Sequence, residues 1–153
     1  MNKNILTIGS IESLILAVVL IWLGSIVGVS FIAAPAKFMV AELDLVTAIK
    51  IGRSTFMVFH YFEYVLLACL VILIGFFKVS NIAQCLVLFL LALTLIQNLV
   101  VYPALGGQSN LTFNGQVANS NVPHLIYVAM EVVKSIILLL YFPLLVLIAG
   151  DED

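Results

Sequence analysis

The sequence predicts an all-α fold: an integral membrane four-helix transmembrane bundle. Of the 153 residues, 64% are hydrophobic and 9% are charged, whereas a soluble domain is about half apolar and a quarter charged. The mean hydropathy is +1.27. A membrane-spanning helix needs about 20 mostly apolar residues, and four stretches of the chain meet this length. Their length and continuity favour helices over strands.

The four predicted spans cover residues 8–34, 55–77, 81–101 and 124–149. The second and third spans are joined by only three residues, which predicts a tight antiparallel hairpin. Pro123 precedes the fourth span at a position where a helix tolerates proline. The length leaves no room for a separate soluble module, so residues 1–153 are expected to form a single membrane domain.

The two longer connections differ in character. Residues 36–53 alternate apolar and charged side chains near helical spacing, which predicts a short interfacial helix between spans one and two. Residues 104–121 are polar, uncharged and rich in turn-forming Gly and Asn, which predicts an aqueous loop.

Four spans place both termini on one side of the membrane, side A, and the two long connections on the other, side B. Lys37, Lys50 and Arg53 on side B favour a cytoplasmic side B by the positive-inside rule. The charge-free loop at 104–121 favours an exported side B instead. On balance we expect cytoplasmic termini.

The expected partners are the lipid bilayer and other membrane subunits or a second copy of the chain, because so short a chain with few loops often acts with partners. The net charge of −2 argues against nucleic acid. Gly24 and Gly28 form a motif of small residues that lets another helix approach closely. We expect this motif to pack within the bundle rather than in a dimer.

Five ionisable residues lie in or at the edge of the apolar stretches: His60, Glu63, His124, Glu131 and Lys134. A charge in hydrocarbon is costly, so such residues face a bundle interior and mark functional sites. At about 1.5 Å per residue, all five fall in the half of the membrane nearer side B.

The spacing of these residues predicts that they share helix faces. On the fourth span the polar positions are spaced by three, four and three residues, which forms one stripe. The third span adds an amide pair at the same level, and the first span adds Ser30. The sequence therefore predicts one polar or ligand-binding cluster, formed by His60, Glu63, Gln97, Asn98, His124, Tyr127, Glu131 and Lys134.

Several functions fit this cluster. In a structural ion-pair network, Glu131 and Lys134 neutralise each other, while Glu63 is protonated or hydrogen-bonded to His60. In a small-molecule or proton pathway, the same groups hold a polar ligand or relay protons.

A metal site is the third alternative. His60, Glu63, His124 and Glu131 are ligands that suit a single transition-metal ion. A di-iron centre is disfavoured, because the first and third spans supply no deep carboxylate. A haem is not expected, because His124 lies at the edge of its span and the two histidines differ in depth.

The segments Trp22-Leu23-Gly24 and Phe31-Ile32-Ala33-Ala34-Pro35-Ala36-Lys37-Phe38 resemble the first span of the transmembrane protein 205-like family. His60, Gln97, Pro103 and His124 match polar and proline positions of that family. The resemblance implies four spans and a small membrane protein without an established reaction. It lends no catalytic residue, and Glu63, Glu131 and Lys134 lie outside its pattern.

The sequence favours a non-enzymatic function, either as an accessory subunit of a membrane complex or as a protein that handles a small ligand or ion through the His/Glu/Lys cluster. It contains no Ser-His-Asp arrangement, no Gly-rich phosphate loop and no Cys metal motif. The alternative is a membrane metalloprotein, such as an oxidoreductase, with the two-His, two-Glu site. The identity of any cofactor stays open.

Overall fold

The computed structural model describes residues 3–77, 79–106 and 122–150. All regular secondary structure in these residues is helical, and four helices are long and apolar enough to cross a membrane. The prediction of a helical, multi-pass membrane protein is confirmed.

Two of the four helices change their winding on the way to side B. Helix α1 spans Lys3–Ile26 and continues through a π-helical segment at Val27–Ala33, an α-helical turn at Ala34–Ala36 and a 3₁₀ turn at Lys37–Met39. Helix α2 spans Leu45–Phe76. Helix α3 spans Asn81–Ile96, becomes π-helical at Gln97–Val101 and stays helical to Gly106, and α4 spans Val122–Gly150.

The predicted separate interfacial helix is wrong. Residues 45–53 of its sequence are instead the beginning of α2, which runs unbroken for 32 residues. No proline interrupts this stretch, and the one glycine in its first turns, Gly52, costs only about 1 kcal/mol of helix stability. At 1.5 Å per residue α2 is about 48 Å long. It therefore exceeds a hydrocarbon core of about 30 Å, and its first turns extend beyond the core on side B.

Side-chain caps fix where α2 and α3 begin. The Asp44 carboxylate accepts a 2.9 Å hydrogen bond from the backbone N–H of Thr47, and Ser80 caps α3 in the same way through Ala83. The hydrogen bonds from Thr47 hold the pKa of Asp44 below its usual value.

Each helix packs against two neighbours: α1 and α3 both contact α2 and α4. The described side chains form a continuous apolar core that extends from the middle of the bundle towards side A. Its fully buried side chains are Ile15, Val19, Trp22, Ile26, Leu70, Val87, Leu90, Leu138 and Tyr141. Large apolar residues such as Ile21, Val58 and Leu139 are exposed on the outer faces, where lipid would cover them.

The Gly24 and Gly28 motif does not mediate packing inside the bundle. A Cβ atom at either glycine would meet no heavy atom within 4 Å. The expected internal role of this motif is therefore wrong, and it lies on an open face of α1.

Candidate functional site

A buried ionic network connects α2 and α4. The Nζ atom of Lys134 lies 2.5 Å from Oε1 of Glu63 and 3.0 Å from Oε1 of Glu131. All three side chains have 0% of their surface exposed. A buried ion pair needs further hydrogen bonds to offset the loss of hydration.

The other two helices supply those hydrogen bonds. The indole Nε1–H of Trp22 on α1 donates to Oε1 of Glu63 at 2.9 Å. The amide of Gln97 on α3 donates to Glu131 at 2.6 Å, and the hydroxyl of Ser30 donates to the other Glu131 oxygen at 3.3 Å. Each transmembrane helix therefore contributes at least one side chain to the network.

The two π-helical segments position Ser30 and Gln97. Each segment is followed closely by a proline, Pro35 in α1 and Pro103 in α3. A proline inside a helix lacks the N–H for the usual bond and displaces the carbonyl four residues earlier. A π turn absorbs this displacement with i to i+5 bonds, such as that from the backbone N–H of Tyr102 to the Gln97 carbonyl. The widened turns lie at the level of the network.

His60 belongs to a second group of contacts, nearer side B. Its Nε2 atom and the hydroxyl of Tyr127 are 3.0 Å apart, with the direction of donation set by the tautomer. The His60 ring also meets the Tyr102 ring edge-on at a centroid distance of 4.5 Å, and Phe56 packs on Tyr127 at 5.1 Å. The predicted contact between His60 and Glu63 is not formed, because the two side chains bond to different partners.

A cavity of about 560 Å³ lies above the network on side B. Glu131, Ser30 and Tyr127 line its inner end, and apolar side chains such as Phe31 and Val128 line its walls. Lys37, Arg53 and His124 also line the cavity, and Glu131 is the only acidic residue among the described lining residues.

Lys37 reaches over the start of α2 at this cavity. Its Nζ atom is 5.0 Å from the centre of the Phe38 ring and 5.9 Å from that of Phe56. The same amine lies against Gly52, where a Cβ atom would overlap it. A glycine at this position lets the lysine cross α2 closely.

The structure brings most of the predicted cluster together, but not as the predicted metal site. Among the described residues, no group of three or more His, Cys, Asp or Glu side chains is arranged to hold a metal ion. His124 is exposed and lines the cavity, whereas His60 contacts Tyr127. Both glutamates are bound instead by Lys134. The four residues His60, Glu63, His124 and Glu131 therefore do not form one site in this structure.

Trp22 belongs to the network, although the sequence does not predict it as a member of the cluster. The position of Trp22 in the sequence indicates this role. It is the one tryptophan of the chain, and it lies in mid-span rather than at the membrane interface. A buried indole N–H usually has a hydrogen-bond partner.

The fold and site define a class, a four-helix transmembrane bundle with an ionic network buried beneath a cavity. No family model, curated protein or solved structure matches the chain. The resemblance to the transmembrane protein 205-like family therefore stays a prediction.

Proposed function

We propose that this protein binds a small amphiphile with an anionic head group in the side-B cavity, and that it acts as a ligand-handling membrane protein rather than an enzyme. One observation carries the proposal: Glu131 belongs both to the buried network and to the cavity lining. The network thereby fixes the inner end of a space that a ligand can occupy.

The charges and walls of the cavity indicate the ligand class. Lys37 and Arg53 favour a negative group near the side-B surface, while Phe31, Phe56 and Val128 favour an apolar body. A volume of about 560 Å³ falls within the range of about 300–1,000 Å³ that holds small-molecule ligands. The ionic network then forms a preorganised polar surface at the inner end of the cavity.

The test is equilibrium binding to the protein in nanodiscs made of uncharged lipid. The probes are a fluorescent long-chain carboxylate and the alcohol of the same chain length. We expect the carboxylate to bind more tightly, and Val128→Trp, which fills the cavity, to weaken its binding at least about tenfold. Val132→Trp is the matched control, because Val132 is an exposed valine one turn deeper on α4 that does not line the cavity.

A charge variant tests the head-group assignment separately. Lys37→Gln with Arg53→Gln is expected to weaken carboxylate binding and leave alcohol binding unchanged. Equal binding of both probes would refute the anionic class. Unchanged carboxylate binding by Val128→Trp would refute the cavity as the site.

A second proposed function, as an accessory subunit or a homo-oligomer, is supported by the open Gly24 and Gly28 face of α1. Gly24→Leu should then disrupt co-elution with a partner or the formation of a dimer in mild detergent. Leu20→Ile, an exposed change one turn earlier, is the control. A monomer that co-elutes with no partner before mutation would contradict this role.

The orientation is also a proposal. We infer cytoplasmic termini, supported by the uncharged composition of residues 104–121. Met39→Cys tests it in a background without Cys69 and Cys85, because Met39 is highly exposed at the side-B end of α1. An impermeant maleimide should label this cysteine in intact cells, and labelling only after lysis would reverse the assignment.

A further inference from the structure

Four buried oxygen atoms near the network have no hydrogen-bond partner: Oε2 of Glu63, Oγ1 of Thr94, Oε1 of Gln97 and Oδ1 of Asn98. None of the four residues is more than 8% exposed. Buried polar atoms almost always have a partner, so each exception needs a physical explanation. None of these residues lines the side-B cavity, so the ligand proposed for the cavity does not explain them.

Three of these oxygens lie on one face of α3. Thr94, Gln97 and Asn98 are separated by three and four residues, which places them on adjacent turns of the same helix face. Gln97 also bonds to Glu131, and Glu131 shares Lys134 with Glu63. Gln97, one of the three, is therefore connected to the Glu63 carboxylate through a short chain of contacts.

The fourth oxygen lies at the same depth. His60 of α2 contacts Tyr102 of α3, which fixes the register of these antiparallel helices. Glu63 follows His60 by three residues and Asn98 precedes Tyr102 by four, so they lie about 4.5 Å and about 6 Å further from side B. The Glu63 carboxylate and the Asn98 amide are thus placed at one level of the bundle.

The network also carries one carboxylate more than it has ammonium groups. Glu63, Glu131 and Lys134 are all fully buried, and an uncompensated charge at this depth is strongly unfavourable. A single added positive charge would make the three-residue network neutral.

We propose that a small monovalent cation of the size of Na⁺ binds between α2 and α3, on the unpartnered oxygens of Glu63, Thr94, Gln97 and Asn98. The number of oxygens favours a metal cation over a proton, because one proton joins only two oxygens. Oxygen donors are the ligands that hard cations prefer. A divalent ion would leave the network with an excess positive charge, whereas a monovalent ion neutralises it.

The experiment measures thermal unfolding of the purified full-length protein in nanodiscs, with Na⁺, Li⁺, K⁺ or choline as the only monovalent cation at constant ionic strength. Binding to the folded state alone raises Tm with ligand concentration. We expect at least one alkali cation to raise Tm by about 5 °C or more, relative to choline, at a 100-fold excess over its dissociation constant.

Two nearly isosteric variants locate the effect. Thr94→Val and Asn98→Leu remove orphaned polar atoms, so both should keep or raise Tm in choline and should abolish the increment from the alkali cation. A variant that keeps its Tm in choline but loses the increment has lost the binding site, whereas a variant that folds poorly would have a lower Tm in choline. Thr55→Val is the matched control, because its hydroxyl already bonds to the Ile51 carbonyl on an exposed turn, and it should keep the increment.

Three results would overturn the proposal. The first is a Tm that is the same in all four cations. The second is an increment that both Thr94→Val and Asn98→Leu retain. The third is a Tm that depends on pH but not on the cation, which would assign the neutralising charge to a proton on the network.

Discussion

Replacing Lys134 with methionine removes the ammonium group that joins two buried carboxylates. Methionine has a similar length and no charge, so the change tests charge more than packing. Glu63 then keeps only the hydrogen bond that the Trp22 N–H donates to its Oε1 atom. Glu131 keeps hydrogen bonds from Gln97 and Ser30. The two carboxylates are therefore left in unequal environments.

The magnitude follows from these contacts. Removing one partner of a buried ion pair costs about 3–5 kcal/mol. Two carboxylates lose the same partner here, so we expect a loss near 5 kcal/mol in the free energy of unfolding. Lys134 is closer to Glu63, at 2.5 Å, than to Glu131, at 3.0 Å. Adding Glu63→Gln to Lys134→Met should consequently restore about 2 kcal/mol, and adding Glu131→Gln should restore about 1 kcal/mol or less.

The assay is reversible unfolding in mixed micelles of increasing dodecyl sulfate content, followed by far-ultraviolet circular dichroism. Glu42→Gln, which removes an exposed charge before the start of α2, is the control and should change stability by less than about 0.5 kcal/mol. A cost below about 1 kcal/mol for Lys134→Met would contradict the stabilising role of the ammonium group. Better rescue of the lysine variant by Glu131→Gln than by Glu63→Gln would contradict the stronger pairing of Lys134 with Glu63.

Three further predictions concern single contacts. Trp22→Phe should destabilise the protein by about 1.5–3 kcal/mol, because it removes the N–H donated to the Glu63 carboxylate; the same unfolding assay measures this, and a neutral result would contradict the role of the indole. Tyr127→Phe should cost about 1 kcal/mol through loss of the hydroxyl contact with His60, and the loss should vanish in a His60→Phe background. The depressed pKa of Asp44 predicts that its capping contribution is present above the unfolded pKa of about 3.9 and is lost as pH falls through the lower folded value; amide hydrogen exchange at the start of α2 should rise there, and Asp44→Ala should show no such pH dependence.

The helical fold could be predicted because a membrane imposes a length and an apolar composition on every span. The start of α2 could not be placed in this way. Hydropathy marks only the part of a helix that lies in hydrocarbon, while the beginning of α2 depends on the cap at Asp44. A mixed apolar and charged pattern looks the same in a separate interfacial helix and in the extension of a spanning one.

The sequence predicts the depth of the site residues and the helix faces on which they lie. It does not predict which side chains pair with one another. Spacing placed Glu131 and Lys134 one turn apart, and the structure confirms that they pair. The shorter contact from Lys134 reaches Glu63 on another helix, and a spacing rule within one helix cannot reveal it. The exposure of His124 depends on how the end of α4 meets its neighbours, which is a property of the packed bundle.

The depth of the network in the membrane has an electrical consequence. Glu131 lies about nine residues, or about 14 Å, from the start of α4, which is nearly half of a hydrocarbon core of about 30 Å. A cation that enters from side B and stops beside Glu131 would cross a similar fraction of the transmembrane voltage. At about 2.3 kcal/mol per charge for each 100 mV across the whole membrane, its binding energy would change by about 1 kcal/mol. Occupancy would then change about fivefold per 100 mV, and the sign of that change would report which compartment side B faces.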